Sequence, residues 1–183
     1  MATAIARALA ALVALTAVGC STGPTAATPD DSELFQAVSS SFSGFCSWKS
    51  APATTTGDDA GDGLHGLGPL TVYWNQSPPH GATSFPNGTI IVKANETADP
   101  TQRTIFAMVK RGGDFNSSGA VGWDWYSLQQ TTAACDVINI LWNATVPPGG
   151  ESYAGTPIGD CNGCHTKTTN DAVWDSALQL SNF

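Results

Sequence analysis

Between Phe85 and Lys93 the chain reads FPNGTIIVK, and this stretch decides the fold. Asn87-Gly88 is a turn pair, because glycine supplies a positive φ at no steric cost. Thr89, Ile90, Ile91 and Val92 behind it are β-branched and favour a pleated strand. Strand alternation puts Ile91 and Lys93 on one face and Ile90 and Val92 on the other. Upstream, Leu70 to Trp74 is dense in β-formers and is broken by Pro78-Pro79-His80-Gly81. Downstream, Thr104 to Lys110 gives a third strand, ended by Gly112-Gly113-Asp114. A fourth runs from Gly122 to Leu128, with Trp123 and Trp125 on one face and Asp124 and Tyr126 on the other. Val137 to Trp142 fits a short helix or a strand. Ala51 to Gly68 reads as a Gly, Thr and Asp loop. Leu34, Phe35, Val38, Phe42 and Phe45 fall near helical spacing, which predicts a helix between Leu34 and Trp48. A last helix is expected over Asp171 to Leu180. The expected fold is an α+β domain with an antiparallel sheet core and packed helices.

The chain has 183 residues, room for one domain. Residues 1–19 hold a single charge, Arg7, then an apolar run from Ala8 to Val18 and Gly19-Cys20, which is the form of an export signal. Thr16-Ala17-Val18-Gly19-Cys20 has the form of a lipobox, with Ala17 where Leu is usual. Cys20 is then expected to be the acylated first residue of a lipoprotein, and a plain secretory signal is the alternative. Residues 20–32, rich in Ser, Thr, Pro and Asp, read as a flexible tether. The folded domain is placed at 33–183, and the location is the bacterial cell envelope, in the periplasm or anchored to a membrane by lipid. All 15 Asp and Glu lie beyond Cys20 against six Lys and Arg, a formal charge of −9 there. Nucleic acid is excluded as a partner, since phosphate binding needs a basic face.

Cys161-Asn162-Gly163-Cys164-His165 carries the chemistry. Two thiols at this spacing can add to both vinyl groups of a haem, and the next residue, His165, then ligates the iron. A zinc site would need further Cys or His at ligand spacing, and a thioredoxin-like pair would need a βαβ setting. Export together with the adjacent His favours one covalently bound haem c. Cys46 and Cys135 remain, and in an oxidising compartment they are expected to form a disulfide. For the sixth iron position the candidates beyond Met1 are Met108, His65 and His80. Met108 sits in an apolar strand, and the two histidines sit in loops where solvent exposure is expected. A five-coordinate iron open to small molecules is therefore favoured.

The order FPNGTIIVK (85–93), FAMVKR (106–111), GWDW (122–125) and CNGCH (161–165) resembles the cytochrome P-460 family. LTVYWN (70–75) and DAVW (171–174) are also similar to its pattern, so the likeness runs from about Leu64 to Asp175. It implies a β-sheet haem protein, often a homodimer, with a His-ligated haem c and an open distal pocket. The relative cytochrome c-prime-beta binds nitric oxide and carbon monoxide. In the enzymes a lysine is bonded to the haem ring and hydroxylamine is oxidised, with electrons passing to a partner protein. Lys93 stands at the position of that lysine. Asp124 and Asp114 are the candidates for the family's distal proton-relaying carboxylate, and Arg111 for pairing a propionate or polarising a ligand. Phe85, Phe106, Trp123 and Trp125 are candidates for the pocket wall. An electron-carrying cytochrome with six-coordinate iron is a further alternative.

Overall fold

The computed structural model describes residues 34–53, 65, 68–144 and 161–183. The export signal, Cys20, the tether and the domain start at Glu33 lie outside them. Six strands form one antiparallel sheet in sequence order: β1 (Lys49–Pro52), β2 (Leu70–Trp74), β3 (Ile90–Asn95), β4 (Ile105–Lys110), β5 (Trp123–Gln130) and β6 (Ile138–Ala144). A short helix, α1 (Cys161–His165), follows. The antiparallel core is as expected, and Val137 to Trp142 resolves as strand. The helical share is smaller than expected.

The predicted helix from Leu34 to Trp48 is broken into 3₁₀ turns at Ser39–Phe42 and Phe45–Ser47. The break is at Gly44, which takes a φ of 71°, and the flanking serines are weak helix formers. Phe42 and Phe45 are nonetheless fully buried, so the apolar spacing marked burial and not an α-helix. The predicted helix over Asp171 to Leu180 is also replaced by 3₁₀ turns, Ser176–Leu178 and Leu180–Asn182. Here Asn170 takes over the backbone: its Nδ2 donates to Val173 O and Leu178 O, and its Oδ1 accepts from Leu180 N. β1 was read as the start of a loop. It is an edge strand of Lys, Ser, Ala and Pro, too polar to show a strand pattern.

Two cores cover the two faces of the sheet. One contains Phe42, Phe45, Tyr73, Ile90, Val92, Tyr126 and Leu128. The other contains Trp74, Phe85, Ile91, Met108, Trp123, Trp125 and Leu178. Strand register sets the second face in rows. Ala51, Val72, Lys93, Phe106, Ser127 and Trp142 stand opposite one another in turn across the six strands. In the neighbouring row Trp74, Ile91, Met108 and Trp125 do the same. A disulfide joins Cys46 to Cys135, with Cα atoms 6.1 Å apart.

Candidate haem site

The cysteine motif lies on the second face, and Asn162 fastens it there. Its Oδ1 accepts from Trp125 Nε1 at 3.1 Å, from Ala120 N at 3.1 Å and from Asn116 Nδ2 at 2.7 Å. Its Nδ2 donates back to Asn116 Oδ1 at 3.0 Å. Gly119 makes the approach possible, since a Cβ there would fall 2.3 Å from Asn162 Cγ. At the other end of the helix, Trp174 Nε1 donates to Cys164 O at 3.1 Å. Cys161 packs against the second core, and both motif cysteines are partly exposed.

The His165 ring rests on Trp125, centroids 4.7 Å apart. Its Nδ1 lies 2.7 Å from Ala172 O. A carbonyl only accepts, so the proton belongs on Nδ1 and the lone pair on Nε2, the tautomer a metal-ligating imidazole uses. That carbonyl comes from a strained segment, with φ of 48° at Asp171 and 65° at Ala172. Asp171 is held by Lys110, whose Nζ is 2.7 Å from its Oδ1.

Several sequence-predicted residues share this face. Phe85, Trp123 and Trp125 belong to its core, and Phe85 meets Trp123 edge-on at 5.8 Å. Phe106 stands between Lys93 and Ser127, and Lys93, partly buried, stands between Val72 and Phe106. Met108 is buried between Ile91 and Trp125, as a core residue. His80 is exposed as expected. His65 is not: it is partly buried, its ring edge-on to Phe106 at 5.7 Å. Its Gly-rich loop setting hid this contact.

Other candidates are elsewhere. Asp124 is 1 % exposed on the opposite face, where Arg111 Nη1 reaches its Oδ2 at 3.4 Å. Arg111 also donates from Nε to Phe35 O and lies over the Phe115 ring. Both are thus tied into the N-terminal packing, and the sheet separates them from the motif. Asp114 is exposed in the turn after β4. Alternation along β5 thus puts Asp124 on the face away from the motif, with Arg111 beside it, while Asp114 faces solvent. Burial and the neighbouring Asp124 carboxylate push the Tyr126 hydroxyl above its ordinary value.

The residues present fit a haem. Thiols and imidazole project from one turn, the imidazole tautomer is the ligating one, and the floor is aromatic. Two buried indole N–H groups of this face, on Trp74 and Trp123, have no acceptor among the described residues. Among the described residues no three His, Cys, Asp or Glu side chains cluster as a metal cage, and the all-antiparallel sheet has no βαβ unit for a thioredoxin-like pair. No protein-family model matches the chain, and no curated protein or solved structure matches it either. The site must speak for itself.

Proposed function

We propose that the chain carries one haem c on Cys161 and Cys164 with His165 on the iron, and acts as an exported, cytochrome P-460-like redox protein that oxidises hydroxylamine. The observation that carries this is the His165–Ala172 hydrogen bond on a thiol-bearing turn, above a sheet face that also presents Lys93. Bound haem supplies a redox-active iron with an open coordination position. The chain supplies the rest. Val72 and Phe106 flank Lys93 across the strands, so a haem on this face would meet its amine within an apolar row. His65, edge-on to Phe106, would be the group on this face to take the protons that hydroxylamine gives up. Electrons leave to a partner protein of the cell envelope, where lipid on Cys20 and pairing of two copies would hold the protein. A second reading is a nitric oxide or carbon monoxide binder of the cytochrome c-prime-beta kind. It is favoured by the row around Lys93, in which no residue is a carboxylate.

The test is made on purified protein. One haem should remain bound by mass after denaturation, and Cys161→Ala with Cys164→Ala should abolish its retention. Peptide mapping should find haem on the Lys93 peptide as well as on the cysteine peptide. Lys93→Ala should then restore an ordinary haem c spectrum and remove hydroxylamine oxidation while leaving nitric oxide binding. An unmodified Lys93 peptide with an ordinary spectrum would make the gas binder the better reading. A protein without covalent haem would sink both.

A further inference from the structure

Lys110 and Asp171 form a largely buried ion pair on the motif face, and neither was singled out by the sequence. Their side chains are 10 % and 14 % exposed, and Lys110 Nζ lies 2.7 Å from Asp171 Oδ1. The pair is anchored on both sides. Lys110 ends β4, donates to Val121 O at 3.1 Å and sits over the Trp123 ring. Asp171 Oδ2 accepts from Phe85 N at 2.8 Å. Gly122 leaves the space Lys110 occupies, since a Cβ there would come 3.1 Å from its Nζ.

The pair holds a backbone that would not hold itself. Asp171 and Ala172 are consecutive non-glycine residues with φ of 48° and 65°, and left-handed conformations persist only where the surroundings impose them. What they deliver is the Ala172 carbonyl, 2.7 Å from His165 Nδ1. A hydrogen bond accepted from Nδ1 makes the imidazole a stronger donor through Nε2, one of the levers on a metal's potential. We propose that Lys110 and Asp171 are positioning residues for His165: their ion pair seats the Ala172 carbonyl on Nδ1 and so lowers the reduction potential of the haem iron. This rests on the haem reading above.

The experiment is a redox titration of the holoprotein, followed optically, on wild type, Asp171→Asn and Lys110→Gln. The two substitutions have opposite charge effects. Removing an anion should raise the potential by electrostatics alone, and removing a cation should lower it. Release of the carbonyl raises it in both. The expected result is a higher potential in both variants, with the ferrous-to-ferric ratio at fixed poise up about tenfold, which for one electron is about 59 mV. A lower potential in folded Lys110→Gln would overturn the proposal, because the pair would then act only as charges. An unchanged potential in folded Asp171→Asn would do the same. If one variant fails to fold, the double variant replaces the pair by two amides with no net change in charge, and its potential is still expected to rise; an unchanged value there overturns the proposal. Absence of covalent haem from wild type, seen by mass before any titration, marks failure of the underlying reading instead.

Discussion

Asn162, between the two motif cysteines, fastens their turn to the sheet. Its carboxamide satisfies Trp125 Nε1, Ala120 N and Asn116 together. Asn162→Ala would leave Trp125 Nε1 and Ala120 N without this acceptor, whereas Asn116 keeps the carbonyls of Ala120 and Trp123, at a cost of about 3 kcal/mol. Thermal unfolding should then show Tm lower by roughly 6–12 °C. Gly119→Ala attacks the same contact from the other side, so the two losses should be less than additive in a double-mutant cycle. On the far face, Tyr126 makes a prediction in pH. Its hydroxyl is raised in the folded state by burial and by Asp124, so the folded state favours the neutral form. That contribution is complete below the ordinary tyrosine value of about 10 and is lost as pH rises above it. Stability measured by denaturant should fall over this alkaline range, and Tyr126→Phe should flatten the fall. A wild-type curve with no alkaline fall would contradict this.

Elements were legible where burial and alternation agreed. β2 runs over the residues LTVYW that announced it, and Trp123 and Trp125 share the face that their spacing gave them. β1 was not legible, because an edge strand needs no apolar row. The two expected helices failed for a related reason: apolar spacing reports which side chains are buried, while Gly44 and the Asn170 side chain choose the backbone path. The cysteine motif stood out, but its supports did not. Asn116 and Lys110 are distant in sequence and read as loop and strand end, while Asp171 and Ala172 read as the start of a helix. A local pattern cannot reveal a pairing that only the folded sheet creates. The connection between β4 and β5 offers a test at this scale. Gly112, at φ of 90°, leaves a space where a Cβ would fall 2.2 Å from Asn87 Nδ2. Gly112→Ala should therefore destabilise the protein by about 1–3 kcal/mol in urea unfolding, and an unchanged midpoint would show that the turn relaxes freely.

For the whole molecule the disulfide matters most. Cys46–Cys135 closes a loop with a sequence separation of 89 and ties the N-terminal turns to the segment between β5 and β6. The chain-entropy model gives it about 4 kcal/mol. Cys46 is exposed and Cys135 buried, so strong reductant should lower the unfolding midpoint markedly. Strand order bears on a different matter, the time course of folding. Because each strand pairs with its neighbour in sequence, the sheet can zip up hairpin by hairpin without waiting for distant segments to meet, and closing short loops is fast. The cysteine motif follows all six strands in the chain. The sheet face that the motif packs on can therefore be laid down as the chain emerges, before Cys161 to His165 have arrived.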